Sequence, residues 1–258
     1  SSSLEDECAR TMGHSPKLHC DTCPMRPSGI FRRLPAELLR LLDAGKVSHV
    51  LAAGQQLFDE GAPPLAVHCI RTGLVKVSKL SSGGQEQIVR LLRGGEVVGY
   101  RAVLAGEPIG AAAQTLEETT VCTIPAQVLI ALIRRSSDFA LEVLAKVARE
   151  LRISEDTLVD LPHKSVRQRL AAVLLMLSEA RPAEPPRHRP RVVRLARRDL
   201  ARLIATSPES VSRALHRFAA ENSIQCSRTE IRLLNLLALR RAAGGDPFSG
   251  LDHDQLAY

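Results

Sequence analysis

Residues 197–221, RRDLARLIATSPESVSRALHRFAAE, read as two short helices around a tight turn. In the first, Leu200, Leu203 and Ile204 recur at helical spacing, and Ala201 offers a small residue where two helices cross closely. Thr206 and Ser207 are N-cap candidates for the second helix, and Pro208 suits its first position. That helix buries Val211, Leu215 and Phe218, while Glu209, Ser212, Arg213, His216 and Arg217 lie on or beside its other face. Arg donates two hydrogen bonds to guanine, Glu accepts from cytosine, and Ser serves several bases. The stretch predicts a helix-turn-helix whose DNA contacts come from these five residues and from Ser207. Its plainer alternative is an amphipathic surface helix with solvated charges; the capped turn, the small crossing residue and the basic surroundings favour DNA.

Charge is segregated in the same sense. Residues 162–240 hold 16 Lys and Arg against 6 Asp and Glu, whereas the rest of the chain holds 19 against 22. A basic C-terminal module beside a mildly acidic N-terminal one places the contact with a polyanion in the former, with binding that weakens steeply as salt rises. Aromatic residues make up 3% of the chain and Trp is absent, which disfavours a platform for stacking single-stranded bases. The eight His residues are scattered, with no catalytic triad, phosphate loop or paired metal motif, so an enzyme is not expected.

At 258 residues, two domains are expected. No apolar run is long enough to span a bilayer and no charged-then-apolar leader opens the chain, so the sequence reads as a cytoplasmic protein without membrane contact. Six Cys, at 8, 20, 23, 69, 122 and 226, are too few and too uneven for a secreted disulfide scaffold.

Residues 34–125 show partial alternation broken by Gly54, Gly61, Gly73, Gly83-Gly84 and Gly94-Gly95, which suits an antiparallel roll or, equally, a β-sandwich. Residues 126–161 change period: Leu144, Val147, Leu151, Ser154, Leu158 and Leu161 fall 3 and 4 apart, forming a coiled-coil seam and predicting a homodimer. A helix packed on its own domain would show a similar but wider stripe. Pro162 ends this helix, and KSVRQRLAAVLLMLSEA opens a DNA-binding module over 162–240. RPAEPPRHRP, 181–190, reads as an exposed loop, SIQCSRTEIRLL, 223–234, as a two-stranded wing, and 241–258 as a flexible tail. Cys69 and Cys226 read as small buried hydrophobes in strands.

The order of a roll, a long helix and a winged helix-turn-helix resembles the Crp/Fnr superfamily of bacterial transcription regulators. GQQLFDEG, CIRTGLVKV, GEVVGY, LEETTVCTIP, KSVRQRLA and PESVSRALHRF carry the resemblance, which runs over about Cys20 to Leu236. It implies an α+β chain: a Cys-containing segment 1–33, a cyclic-nucleotide-binding-like jelly roll 34–125, a dimerisation region 126–161 and the DNA-binding domain 162–240. It also implies a homodimer reading a two-fold site in double-stranded DNA through Glu209, Ser212 and Arg213. Pro208 and Ser212 look like the Fnr branch, for which a TTGAT-like half-site is implied. The surface loop SSGGQEQ, 81–87, is a candidate contact for RNA polymerase in an activator, although the same fold can repress.

For the signal, the resemblance divides. Cyclic-nucleotide-binding members use a Glu and an Arg near the end of the roll; here Glu96 is present, the Arg is replaced near Gly110-Ala111-Ala112, and Arg101 lies too early. A buried phosphate would lack compensation, which argues against cyclic AMP. In the Fnr branch, three N-terminal Cys and one roll Cys hold an oxygen-labile [4Fe–4S] cluster. Cys20, Cys23 and Cys122 match three of them, Gly29 stands at the fourth, and Cys8 is a substitute on a segment carrying Gly13 and Pro16. Three alternatives stand beside the cluster: a thiol–disulfide switch, a zinc site of Cys8, Cys20 and Cys23 with His19 or Cys122, and inert thiols. The function expected is a regulator responding to oxygen, redox or nitric oxide; its alternative is a signal-independent or zinc- or thiol-stabilised DNA-binding protein with an inert roll.

Overall fold

The computed structural model describes residues 19–179 and 191–244, which pack as two units. Cys8, the whole Pro-rich loop 181–190 and residues 245–258 of the tail lie outside the described residues.

The first unit takes in the chain through Gln85 together with Val89–Leu151. A 3-10 turn (Arg26–Ser28) leads to helix α1 (Ala36–Gly45), where the sequence reading expected strand from residue 34. Leu38, Leu39 and Leu42 give α1 a single apolar face, and a helix is the local structure that buries all three on one side. Eight strands follow: β1 (Val47–Leu51), β2 (Gln56–Phe58), β3 (Ala66–Thr72), β4 (Val75–Leu80), β5 (Glu86–Leu92), β6 (Val97–Val98), β7 (Ala112–Thr115) and β8 (Thr119–Pro125). They form two four-stranded sheets, β1-β8-β3-β6 and β2-β7-β4-β5, the antiparallel jelly roll expected. Gly73, between β3 and β4, sits at φ +95, and a Cβ there would meet the Thr119 Cα at 2.7 Å; only glycine turns the chain so close to β8.

Alternation along each strand divides its residues between two cores. Ile70, Val75, Val77, Leu92, Val98, Ala111, Ala113 and Val121 share one cluster. Val67, Val97 and Ile124 join the other, with Leu38, Leu39 and Leu42 of α1, Leu129 and Leu132, and Phe139 and Val143. Helix α2 (Tyr100–Ala105) lies between β6 and β7. The region read as one dimerisation helix is two: α3 (Ala126–Arg135) and α4 (Ser137–His163). Ser136 is extended and its Oγ accepts the Phe139 amide at 3.2 Å, which starts α4 afresh. Pro162 does not stop α4 at residue 161 as expected; the helix runs to His163, because a single missing N–H in the last turn removes little.

The second unit takes in Glu86–Ile88 and residues from Arg152 onward. It contains α5 (Val166–Glu179), β9 (Arg191–Val193), α6 (Arg197–Leu203), α7 (Pro208–Ala220), β10 (Ile224–Cys226), β11 (Ile231–Leu233) and α8 (Leu236–Ala242). The wing gains a third strand, since β9 completes the order β10-β11-β9. Leu170, Leu174, Leu200, Ala201, Ile204, Val211, Leu215 and Phe218 build its core, with Ala201 1% exposed at the crossing of α6 and α7. Among the described residues, no helix is long and apolar enough to cross a membrane.

Candidate functional site

Two sites emerge, one in each unit. In the second, Ala205 takes φ +51 in the turn between α6 and α7, and Ser207 rather than Thr206 caps α7 by accepting the Ser210 amide at 3.2 Å. Val211, Ala214, Leu215 and Phe218 are buried, which fixes the opposite face outward. Ser207, Glu209, Arg213, His216 and Arg217 are exposed and Ser212 is half-buried, so all six predicted contacts lie off the buried face. The Glu209 carboxyl is held below its usual range by its own backbone amide first, then Ser207, with Arg213 adding to it; it is ionised as an acceptor at neutral pH.

Two supports of this helix were not read from the sequence. Ser210 Oγ accepts a hydrogen bond from an Arg213 guanidinium nitrogen at 3.1 Å, restricting where that side chain points. Arg167 of α5 makes two 2.6 Å bonds to the Glu221 carboxylate and lies 4.6 Å from the centre of the Phe218 ring, fastening the far end of α7. The Arg167/Glu221 pair spans 54 positions, and nothing local in the sequence signals it. In the wing, Ser227 Oγ accepts the Glu230 amide at 3.1 Å, and Glu230 pairs with Arg232 at 2.7 Å and Arg194 at 3.4 Å.

The first unit holds a cavity of about 40 Å³ whose walls include Cys20, Cys23, Cys69 and Cys122. Cys20 and Cys23 come from the turn before the 3-10 segment, where the Cys23 amide donates to the Cys20 carbonyl at 3.4 Å. Cys69 and Cys122 are direct cross-strand partners on β3 and β8, with the parity of Val67 and Ile124. Cys69 is thus in a strand, as expected, yet it faces three other thiols. Cys226 lies in β10 of the other unit, half-buried.

Helix α1 positions Cys20. Asp43 accepts the Cys20 amide at 2.9 Å, and Lys46 Nζ lies 2.5 Å from Asp43 Oδ1 and 2.8 Å from Cys20 Sγ. Burial pushes the Cys20 thiol up to about 11 although Lys46 pulls the other way, so it is protonated at neutral pH. Ser48 Oγ lies 3.4 Å from Cys122 Sγ. Arg26, Arg71 and Lys46 also line the cavity, and among the described residues no acceptor meets the buried Nε of Arg26 or Arg71. Phe31, another wall residue, stacks on Phe139 of α4 with ring centres 5.6 Å apart, and Arg32 donates to both Glu142 carboxylate oxygens at 3.2 Å.

The remaining predicted residues separate. Glu96 accepts the Arg93 amide at 2.7 Å in its own turn, and burial raises its carboxyl. Arg101 is exposed, 3.8 Å from Glu150. In α4, Leu144, Leu151, Ser154 and Leu158 are exposed and Leu161 is half-buried, while Val147 is partly buried against the core of the first unit. His19, Asp21 and Asp43 are the only His, Cys, Asp and Glu ligand atoms gathered three together within 4.8 Å among the described residues.

Residues 48–136 match the profile of the cyclic nucleotide-binding domain, and residues 168–242 that of the Crp-like helix-turn-helix domain. The chain is 28% identical over 234 residues to the transcriptional activator protein anr of Pseudomonas aeruginosa, covering 89% of this chain and 94% of that protein. It is 28% identical over 230 residues to the fumarate and nitrate reduction regulatory protein of Escherichia coli, covering 88% and 91%. Among solved structures, FixK2 from Bradyrhizobium japonicum superposes with a TM-score of 0.68 at 24% identity, covering 76% of this chain and 96% of that one.

Proposed function

We propose a mode of control for this chain, which belongs to the Crp/Fnr family of DNA-binding transcription regulators and falls close to its Fnr branch. It is a regulator and not an enzyme; the proposal is that it acts as a homodimer whose DNA affinity follows an oxygen, redox or nitric oxide signal read at the thiol cavity. The observation that carries this reading is the gathering of Cys20, Cys23 and Cys122 around one cavity whose wall residue Phe31 stacks on α4.

The cavity fits an anionic, thiolate-held group. Arg26 and Arg71 bring positive charge and two buried N–H donors that lack acceptors among the described residues, which is costly unless an acceptor such as a bound sulfur meets them. A [4Fe–4S] cluster, when held there by Cys20, Cys23 and Cys122 with one further ligand, supplies a redox-active, oxygen-labile centre. A single zinc ion suits these thiols less. It holds each sulfur at about 2.3 Å, so its ligands crowd together, whereas no three of the described thiols lie within 4.8 Å of one another.

The chain's own residues connect the cavity to the dimer. Phe31 abuts Phe139, and Arg32 and Arg33 pair with Glu142, so a change in the cavity wall acts on the first turns of α4. Further along, Leu141, Leu144, Leu151 and Leu158 are 59–69% exposed, a stripe that a second copy of the helix covers by knobs-into-holes packing. Glu209, Ser212 and Arg213 of each protomer then read half-sites about 34 Å apart, for which TTGAT-like sequences are the expectation. The turn at 81–87 remains the proposed contact for RNA polymerase.

Footprinting on genomic DNA tests the reading. Protection of two-fold sites with TTGAT-like halves is expected. Uniform coverage would instead identify an architectural protein with an inert roll.

A further inference from the structure

We infer that Cys69 is the fourth thiolate of the metal site, filling the ligand place that Gly29 cannot. The inference rests on the iron–sulfur reading above and deepens it. Two thiols come from the turn, Cys20 and Cys23, and two from the sheet, Cys69 and Cys122. Directly opposed residues of antiparallel strands hold their Cβ atoms roughly 4.5–5.5 Å apart, so the register pairing Cys69 with Cys122 presents both to the same space. A lone buried Cys in a strand is an ordinary small hydrophobe. What sets Cys69 apart is that three other thiols line the cavity it faces.

Gly29 has no side chain to ligate, and its surroundings are tight for one. A Cβ built there would lie 3.0 Å from the Gly95 carbonyl oxygen, tighter than an ordinary contact with backbone. Gly94 and Gly95 make room for the same turn: a Cβ on Gly94 would stand 2.5 Å from Met25 Sδ, and one on Gly95 2.6 Å from Ser28 Oγ. The turn is seated on the loop between β5 and β6 by these glycines, and its Cys20 and Cys23 share one cavity with Cys69 and Cys122.

Burial raises the Cys69 thiol, and negative charge on Cys122, Cys23 or Cys20 raises it further. Each thiol gives up its proton on ligation. Four thiolates around the cluster leave the assembly anionic, which Lys46, Arg26 and Arg71 at the cavity wall offset.

The test compares the full chain with Cys69→Ala, Cys69→Ser and Cys8→Ala, each loaded with iron and sulfide without oxygen. Iron and sulfide content and Mössbauer spectra are read, with circular dichroism to verify the roll. The chain and Cys8→Ala are expected to take up about four iron and four sulfide, while Cys69→Ala takes up several-fold less with its roll intact. Cys69→Ser is expected to give an altered iron spectrum, as an oxygen ligand requires. Alkylation of the unmutated protein keeps the test open if the variants misfold: Cys8 should react equally with and without iron, and Cys69 only after iron is removed. Full loading of Cys69→Ala, or protection of Cys8 by iron, overturns the assignment while leaving the cluster reading in place. A parent chain that takes up no iron and sulfide overturns both.

Discussion

Arg213, the base-reading side chain proposed above, is aimed by its own helix. Ser207 caps the first turn, Ser210 is held by that cap, and Ser210 accepts from the Arg213 guanidinium. Replacing Arg213 with Ala is expected to cost about 1–3 kcal/mol on the cognate site and to relax discrimination at one guanine. Titration of specific and random DNA checks this, and equal losses on both would reduce Arg213 to a backbone contact. The exposed positions of α7 were legible in the sequence because its apolar period is strong. Ser210 was not, since its part depends on the rotamer of Arg213 and not on spacing. At the cavity, Cys20 keeps its proton to about pH 11 in the folded chain, against 9.0 for an ordinary thiol. The folded state then binds this proton more tightly than the unfolded one, so the stability Cys20 contributes is full below pH 9 and is lost as pH rises towards 11. Iodoacetamide labelling of the metal-free protein should accelerate at Cys20 across that window; acceleration centred near pH 9 would contradict the buried environment.

The recognition helix depends on its cap and α4 on what covers its apolar stripe. Ser207→Ala removes the side-chain oxygen that caps α7 at the Ser210 amide, and is expected to destabilise the DNA-binding unit by about 1 kcal/mol. Urea unfolding measures this, and no change would mean that water replaces the cap without cost. In α4, Leu151 is 59% exposed at the middle of the stripe. Leu151→Glu places like charges opposite each other in a parallel seam, so sedimentation should turn a micromolar dimer into monomer; a dimer that survives must pair through another surface. The period of 3 and 4 predicts this seam from sequence; the structure leaves Leu144, Leu151 and Leu158 exposed, while Val147 packs in part against the first unit's own core. Helix α1 and strand β9 escaped notice for a common reason. Each is short, and its pattern is overshadowed by neighbouring Gly-rich or Pro-rich sequence.

Across the whole molecule, sequence order alone revealed a roll, a long helix and a winged helix-turn-helix, because each carries its own periodicity. The thiol cavity was only partly visible. Alternation tells which face of β3 carries Cys69, but the partner strand lies about 50 positions away, and only the register of the sheet brings Cys69 opposite Cys122. Gly29 therefore looked like a broken ligand pattern, whereas the fold supplies another thiol to the same space. The two sites belong to different units, and the proposed link between them runs through α4, from Phe139 at its start to the stripe centred on Leu151. In the proposed function, the state of the cavity sets the affinity of a paired DNA reader. Fluorescence anisotropy with a two-fold TTGAT-type site tests it most directly, on one preparation loaded with iron and sulfide and measured first without oxygen and then after exposure to air. Affinity is expected to change at least about tenfold, or about 1.4 kcal/mol, together with loss of iron. Identical binding curves before and after air, with the iron demonstrably lost, would contradict it.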